Sequence, residues 1–190
     1  MKIIENVSYD LVVDKLLDQK IVSLFQGRSE AGARALGNRS LLFDPRVSNG
    51  QDIVNTVKKR EKFRPFAGTV LLEYANEWFD MMGLDESPFM SFSLQSREEK
   101  RNQIPAIVHV DGSCRIQTLT REHNYHYYNL IEKFYFKTNV PILLNTSFNL
   151  AGEALVETPE DAIHTLKNSK IDYLYLPEIE LLVENNHNER

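Results

Sequence analysis

Short apolar runs alternate with helical segments along the chain, and this alternation constrains the fold more than any other feature of the sequence. Runs of apolar residues bounded by turn residues predict strands at residues 21–25, 39–43, 68–72, 141–144, 173–176 and 179–183. Helical spacing and capping signals predict helices at residues 9–20, 52–59 and 125–136, around Trp78, and from Thr158 to about Lys167. Such interleaving predicts an α/β or α+β class built around one sheet.

Two further segments have a less regular pattern. Residues 85–105 are polar and irregular, so we predict a loop there. In residues 106–118 the apolar residues alternate with others around Asp111-Gly112, which predicts a β-hairpin that turns at that dipeptide. At the helix starts, Ser8 is predicted to be an N-cap, and Thr158 is predicted to form a capping box with Asp161.

The length and composition indicate one ordinary globular domain. At roughly 100–200 residues per domain, the 190 residues form a single domain, 1–190, with a core at about 20–183. The lone cysteine, Cys114, excludes a disulfide framework and a cysteine-rich zinc site, and we expect it to be a small buried apolar residue. No apolar run approaches the roughly 18 residues of a membrane span, and the first residues lack a signal-peptide pattern. We therefore expect a cytoplasmic location.

The charge is distributed unevenly. Residues 26–66 contain nine lysines and arginines against four carboxylates, a net charge of +5. Because the whole chain has a net charge of −5, the remaining residues carry −10. An acidic protein with one arginine-rich segment is suited to hold a small anion at one place, since a guanidinium binds phosphate or carboxylate oxygens in pairs.

Three motifs concentrate polar and cationic side chains next to predicted strands. The first, at residues 27–40, has glycines every five residues and three arginines, but Asn38-Arg39 after Gly37 excludes a P-loop. The second, at residues 58–66, interleaves five cations with two phenylalanines, a mixture that can bind nucleotides or nucleic acid. The third, Asn-Thr-Ser-Phe-Asn at residues 145–149, is predicted to be a polar loop after a buried strand, where α/β sheets place ligand contacts.

The histidines do not point to a metal site. His123 and His126 have helical spacing, yet no carboxylate or cysteine offers a clear third ligand, so we predict no metal site within the protein. His109 lies near Asp111 and is expected to be structural.

Four motifs in this order give the chain its resemblance to a known family. The stretches QGRSEAGARALGNRSLLFDPR, KKREKFRPFA, HVDGSCRIQT and LLNTSFNLAGE, the last followed by ETPEDA, resemble the C-terminal domain of the O-carbamoyltransferases, which carbamoylate antibiotics and nodulation factors. The resemblance implies a YrdC-like fold, a single twisted mixed α/β sheet with flanking helices and a basic concave face. It also implies that carbamoyl phosphate and ATP, with Mg²⁺ on the nucleotide, are converted to carbamoyl-adenylate.

The resemblance assigns the site residue by residue. The implied catalytic set, which would bind the carbamoyl phosphate and orient the carbamate or the α-phosphate, is Arg34, Arg39, Arg64, Asn145 and Ser147. The implied set for the ATP phosphates and the nucleotide is Lys58, Arg60, Arg115 and Asn149. Such a reaction needs positioning and charge neutralisation rather than a protein nucleophile.

The chain departs from the family's pattern in two ways. Ala33 stands where the family usually has proline, which would loosen the glycine-rich turn. The larger N-terminal domain, which passes the carbamoyl group to an acceptor hydroxyl in the family, is not in this sequence. We therefore expect an N-terminal-type transferase domain or subunit as a partner.

Two other functions stay open at the level of sequence. A basic groove for RNA would explain the mixture of cations and aromatics, and it predicts binding with a steep salt dependence, although the net charge of −5 opposes it. A non-catalytic partner subunit that only docks on a transferase would not need its arginines and lysines for activity.

Overall fold

One nine-stranded sheet organises the part of the chain that the computed structural model describes, residues 1–186. The strands are β1 (Lys2–Ile4), β2 (Val22–Phe25), β3 (Arg39–Phe43), β4 (Ala67–Leu71), β5 (Ser93–Gln95), β6 (Ser113–Leu119), β7 (Ile142–Ser147), β8 (Tyr173–Leu176) and β9 (Leu181–Glu184). Their order is β1-β9-β8-β2-β3-β7-β4-β6-β5. The pairs β2–β8 and β4–β6 are parallel and the other pairs are antiparallel, so the sheet is mixed.

Five α-helices within residues 1–186 flank this sheet. They are α1 (Tyr9–Leu17), α2 (Gly50–Val57), α3 (Ala75–Trp78), α4 (Tyr125–Thr138) and α5 (Pro159–Lys167). Every residue of β2, β3 and β4 is buried, which is the pattern of strands covered on both faces. The predicted fold class, a single mixed sheet with flanking helices, is confirmed. The longest helix, α4, has 14 residues, and no helix within residues 1–186 has the length and apolar character to cross a membrane.

The capping predictions are confirmed. The Ser8 hydroxyl accepts a hydrogen bond from the Leu11 N–H and begins α1. The Thr158 side chain accepts from the Asp161 N–H at 3.1 Å, and the Asp161 carboxylate accepts from the Thr158 N–H at 2.9 Å, so the capping box is complete. Helix α5 begins where this local chemistry satisfies the free N–H groups of the first turn.

The predictions for residues 85–118 are partly wrong. The predicted loop contains the short edge strand β5 and a 3₁₀ helix, Glu98–Gln103. In β5 only Leu94 is buried, so the segment has little apolar signal. The predicted hairpin is absent: Asp111-Gly112 does turn the chain, but residues 106–110 form no strand, and β6 pairs with β4 and β5 instead. Ile107 is buried because its side chain covers Gly68.

Two further boundaries differ from the sequence predictions. Strand β7 extends to Ser147, so the first three residues of the predicted polar loop belong to a strand. Strand β1, which the sequence did not predict, is only three residues long and mostly exposed, and it pairs with β9 at the sheet edge.

The glycine-rich segment before β3 depends on one crowded glycine. Gly37 has φ +114°, and a Cβ added there would lie 2.4 Å from Cδ1 of the buried Tyr127. Gly32 has a similar φ of +110°, but a Cβ there would meet nothing within 4 Å. Both positions favour glycine for backbone reasons, and only Gly37 also lacks space for a side chain.

This pair of glycines gives a matched test. We expect Gly32→Ala to lower the free energy of unfolding by about 1–2 kcal/mol through backbone strain alone. Gly37→Ala is expected to cost about 1–3 kcal/mol more, because the new methyl group displaces the Tyr127 ring. Urea denaturation of the two variants measures the difference, and equal losses would contradict the close packing of Gly37 on Tyr127.

Candidate functional site

The strand register brings together side chains that are far apart in the sequence. Ala67 in β4 lies opposite Asn145 of β7 on one side and opposite Arg115 of β6 on the other. Directly opposed residues of neighbouring strands present their side chains to the same face of a sheet. Ser147 lies two residues beyond Asn145 and therefore shares that face. The sheet thus supplies one amide, one hydroxyl and one guanidinium to a common surface.

A small cavity of about 110 Å³ lies over this row of residues. The glycine-rich segment contributes Arg34, and the segment after α2 contributes Arg60. The other lining residues are Ala33, Ala35, Pro65, Phe66, Ala67, Met90, Arg115, Asn145, Thr146 and Ser147. Arg60 Nη2, Arg115 Nε and Asn145 Oδ1 are buried atoms without a hydrogen-bond partner. Buried polar groups are normally paired, so their concentration here indicates a site for a ligand.

A second, larger cavity of about 650 Å³ adjoins the first one. Arg60 and Ser147 line both cavities. The remaining lining residues of the larger cavity are Lys58, Lys59, Glu61, Arg64, Asn149, Leu150, Ala151 and Gly152. We call these two adjoining cavities together the basic cleft.

Lys58 is fixed at the floor of the basic cleft by oxygen acceptors. Its Nζ donates to the Ser147 carbonyl at 2.5 Å, to Ser147 Oγ at 3.2 Å and to Asn149 Oδ1 at 3.0 Å. The side chain of Ser147 also donates to Asn149 Oδ1 at 2.7 Å. These contacts join the end of α2 to the end of β7, so the second and third sequence motifs meet in space.

The segment after α2 is held by a buried asparagine. Asn55 accepts a hydrogen bond from Arg60 Nε at 2.5 Å, and its Nδ2 donates to the carbonyls of Lys62 and Arg64. The Arg60 guanidinium also lies 4.3 Å from the centroid of the Phe66 ring. The Asn55 amide and the Phe66 ring together fix the orientation of the Arg60 guanidinium. Its Nη2 has no partner and is left for a ligand.

Burial and mutual repulsion lower the pKa values of the cations in the basic cleft. Desolvation and the neighbouring Arg60 lower the pKa of Lys58 to about 7. Desolvation, followed by Arg64, lowers the pKa of Arg60 to about 10, and desolvation together with Arg34 lowers that of Arg115. Within the described part of the chain, Glu61 is the one carboxylate that lines the cleft, and it pairs with Arg64 at 2.7 Å. Such a cleft favours anions strongly.

Arg39 is the one predicted site residue that the structure does not bring to the cleft. Its guanidinium donates to the carbonyls of Gln26, Gly27, Asn38 and Glu157, and it stacks 3.7 Å from the Phe25 ring centroid. These contacts pair both terminal nitrogens of the guanidinium inside the loop, Nε is buried without a partner, and Arg39 lines neither cavity. We therefore correct its assignment from a catalytic residue to one that holds the glycine-rich segment in shape.

Several residues of the site carried no recognisable signal in the sequence. Glu30 accepts hydrogen bonds from the N–H groups of Leu36, Asn38 and Arg39, and this fixes the glycine-rich loop that carries Arg34. Asn55 is hydrogen-bonded to Arg60, and both Thr69 and Gln117 are hydrogen-bonded to Asn145. Their partners are distant along the chain or depend on the exact turn of the backbone, which periodicity and motif spacing do not encode.

The residues that sequence reasoning set aside lie outside the cleft. Cys114 is buried, and burial raises the pKa of its thiol to about 12, as expected for a structural cysteine. His126 Nδ1 is hydrogen-bonded to the Tyr9 hydroxyl at 2.7 Å. Within residues 1–186 no three His, Cys, Asp or Glu side chains converge as a metal site would require.

Comparison with known proteins identifies the family. The model of the family described as carbamoyltransferase C-terminus matches residues 13–182, most of the chain. The chain belongs to this family. The resemblance found in the four sequence motifs is therefore confirmed.

The relatives of this carbamoyltransferase C-terminal domain are much longer proteins. Nodulation protein NolNO of Sinorhizobium fredii is 48 % identical over 161 residues, which are 84 % of this chain and 24 % of the relative. Nodulation protein NolO of Bradyrhizobium diazoefficiens is 46 % identical over 163 residues, 85 % of this chain and 30 % of the relative. The chain thus spans less than a third of the length of these relatives.

A solved structure shares the fold. Full-length HypF, crystallised in its phosphate- and nucleotide-bound form, superimposes with a TM-score of 0.60 at 17 % identity, covering 88 % of this chain and 27 % of HypF. At this level of identity the similarity establishes the fold alone, and it agrees with the predicted YrdC-like arrangement.

The lowered pKa of Lys58 gives a pH prediction. Because that pKa is about 7, the free amine predominates above pH 7, whereas a bound phosphate raises the pKa by favouring the ammonium form. We expect binding of inorganic phosphate at pH 8 to take up more protons in the native chain than in Lys58→Met. At pH 6, where Lys58 is already protonated, this difference should disappear. Calorimetry in buffers of different ionisation enthalpy measures the uptake, and an equal uptake in both proteins at pH 8 would refute the coupling.

Proposed function

We propose that this chain forms carbamoyl-adenylate from carbamoyl phosphate and ATP. The observation that carries the proposal is the sharing of Arg60 and Ser147 by two adjoining cavities. Two phosphorylated substrates that occupied the two cavities would meet at these residues. Membership of the carbamoyltransferase C-terminus family supports the chemistry, and HypF, which has the same fold, was crystallised with phosphate and a nucleotide.

The sizes of the cavities suggest which substrate goes where. The smaller cavity of about 110 Å³ has the volume of about four water molecules in the liquid, which suits a small acyl phosphate and excludes a nucleotide. The larger, open cavity of about 650 Å³ suits ATP. In this arrangement Arg34 and Arg115 bind the carbamoyl phosphate, while Lys58, Arg64 and Asn149 bind the nucleotide phosphates. The roles of Arg64 and Arg115 are thus exchanged relative to the assignment from sequence.

The proposed reaction balances with one water molecule. Water attacks the phosphorus of carbamoyl phosphate, the bond between phosphorus and the bridging oxygen breaks, and inorganic phosphate leaves a carbamate that keeps its carbonyl oxygen and the former bridging oxygen. A carbamate oxygen then attacks the α-phosphorus of ATP, the bond between the α-phosphorus and the bridging oxygen breaks, and pyrophosphate leaves. The chain's own residues neutralise the charge of both leaving groups and hold the reacting atoms in line, without a covalent intermediate on the protein.

The donor set fits Mg²⁺ that arrives on the nucleotide. Within the described residues the cleft offers one carboxylate, Glu61, and that group is paired with Arg64. Mg²⁺ in nucleotide sites is commonly held by phosphate oxygens and water, with one or two protein carboxylates. In this proposal the ion supplies additional charge neutralisation at the phosphates, and the arginines and Lys58 position the same phosphates from the protein side.

Transfer of the carbamoyl group to an acceptor hydroxyl is assigned to a partner. The relatives NolNO and NolO extend far beyond the region that this chain matches, which leaves room in them for a transferase domain. A domain or subunit of that N-terminal type is the partner that this proposal requires. The small cavity and its shielded polar atoms favour this function over an RNA groove, which would need an open surface along which a strand could lie.

The direct test is pyrophosphate exchange into ATP with the full chain. We expect exchange that depends on carbamoyl phosphate, and we expect Arg60→Met to reduce it about 100- to 1,000-fold, because one donor to the developing charge is lost. Lys133→Met is a matched control. Lys133 of α4 pairs with Asp10 of α1 and does not line the cleft. A folded sample that neither exchanges pyrophosphate nor binds ATP would exclude the proposed function. Unchanged exchange in Arg60→Met would exclude the proposed site.

A further inference from the structure

A chain of buried hydrogen bonds lies beneath the small cavity. Gln117 Nε2 donates to the Leu36 carbonyl at 2.9 Å. Because that carbonyl can only accept, the Gln117 amide has one possible orientation, with Oε1 turned toward the sheet. Gln117 Oε1 then accepts hydrogen bonds from Thr69 Oγ1 at 2.9 Å and from Asn145 Nδ2 at 3.2 Å.

The same chain fixes the orientation of the Asn145 amide. Asn145 Nδ2 has three acceptors, the Ala35 carbonyl at 3.2 Å, Thr69 Oγ1 at 3.0 Å and Gln117 Oε1 at 3.2 Å. Rotating the amide by half a turn would place its oxygen against the Ala35 carbonyl and Gln117 Oε1, two groups that cannot donate. Asn145 Oδ1 is therefore the atom that remains, and it is buried with no partner in a residue only 1 % exposed.

Asn145, which carries this lone acceptor, lines a cavity whose other polar side chains are mostly donors. Arg34, Arg60 and Arg115 line it, and Arg60 Nη2 and Arg115 Nε are also buried without partners. A ligand that satisfies all of these atoms must be an anion with acceptor oxygens and must also carry one N–H or O–H group. An acyl phosphate with a methyl group in place of the amino group satisfies the arginines but leaves Asn145 Oδ1 unpaired.

We propose that Asn145 Oδ1 accepts a hydrogen bond from the amino group of the carbamoyl substrate, and that Gln117 is the positioning residue that holds Asn145 in the orientation this requires. The inference rests on the proposed function and adds the basis of its selectivity. The site selects carbamoyl phosphate over acetyl phosphate, which has nearly the same shape and charge, because only the carbamoyl group has N–H bonds to donate. A substrate without an N–H group leaves Asn145 Oδ1 buried and unpaired, and this costs more binding free energy than the loss of the hydrogen bond alone.

Two stable analogues test the selectivity in the full chain. Phosphonoacetamide carries the amino group, and 2-oxopropylphosphonate carries a methyl group at the same place. We expect the native chain, with a nonhydrolysable ATP analogue present, to bind the amide about five- to a hundredfold more tightly than the ketone in calorimetric titrations. This ratio needs no variant, so it tests the proposal even where a substitution in the buried network impairs folding.

Variants then assign the ratio to particular atoms. Asn145→Leu is expected to bring the ratio of the two affinities close to one, mainly by weakening the binding of phosphonoacetamide. Gln117→Met keeps the shape of the side chain but removes its amide, and it is expected to lower the ratio severalfold. Arg34→Ala is the matched control within the cavity, since the phosphonate is common to both analogues: both affinities should fall while their ratio stays constant.

The outcomes separate this inference from the proposed function. Equal binding of the two analogues by the native chain overturns the selectivity role of Asn145 and leaves a site for acyl phosphates in place. Failure to bind either analogue, or inorganic phosphate, overturns both proposals. A native-like ratio in folded Asn145→Leu also overturns the role of Asn145, and a native-like ratio in folded Gln117→Met overturns that of Gln117.

Discussion

The burial of several cations beside one another is the constraint on which the basic cleft depends. Desolvation is the main cause that lowers the pKa values of Lys58 and Arg115, and the nearby Arg60 and Arg34, respectively, add to it. Glu153 beside Lys58 and Glu61 beside Arg60 oppose these effects without cancelling them, so the cleft favours an anion. Phosphate groups that bind there, as we propose, would relieve the remaining repulsion between the cations.

The surrounding structure is arranged to resist that repulsion. The Ser147 and Asn149 oxygens hold Lys58, and Asn55 and the Phe66 ring hold Arg60. These supports come from α2, from the end of β7 with the residues after it, and from the residue before β4, so the cleft exists only when the sheet and α2 are assembled. Preorganised donors of this kind do not have to be rearranged during reaction, which is the main way a protein without a nucleophile can accelerate phosphoryl chemistry.

Features encoded by neighbouring residues could be predicted from the sequence. Features that depend on contacts between residues far apart in the chain could not. Continuous apolar strands and the capping box at Thr158 were predictable because their signals lie within a few residues. The false hairpin arose from the alternation of Val108 and Val110 before Asp111-Gly112, because this pattern suggests a strand although Val110 is exposed and residues 106–110 form no strand. Arg39 looked like a ligand-binding arginine because residue type and spacing do not reveal which way a side chain points. Gln117 gave no signal, since its role depends on Leu36, 81 positions away.

The central claim is that guanidinium and ammonium groups from separate motifs form one pocket for two phosphorylated substrates. A crystal structure of the full chain with a nonhydrolysable ATP analogue and phosphonoacetamide tests it most directly. The account predicts the nucleotide phosphates against Lys58 and Arg64, the phosphonate against Arg34 and Arg115, and Arg60 between them. Both ligands bound on another face, or only one of the two cavities able to take a phosphate, would contradict it.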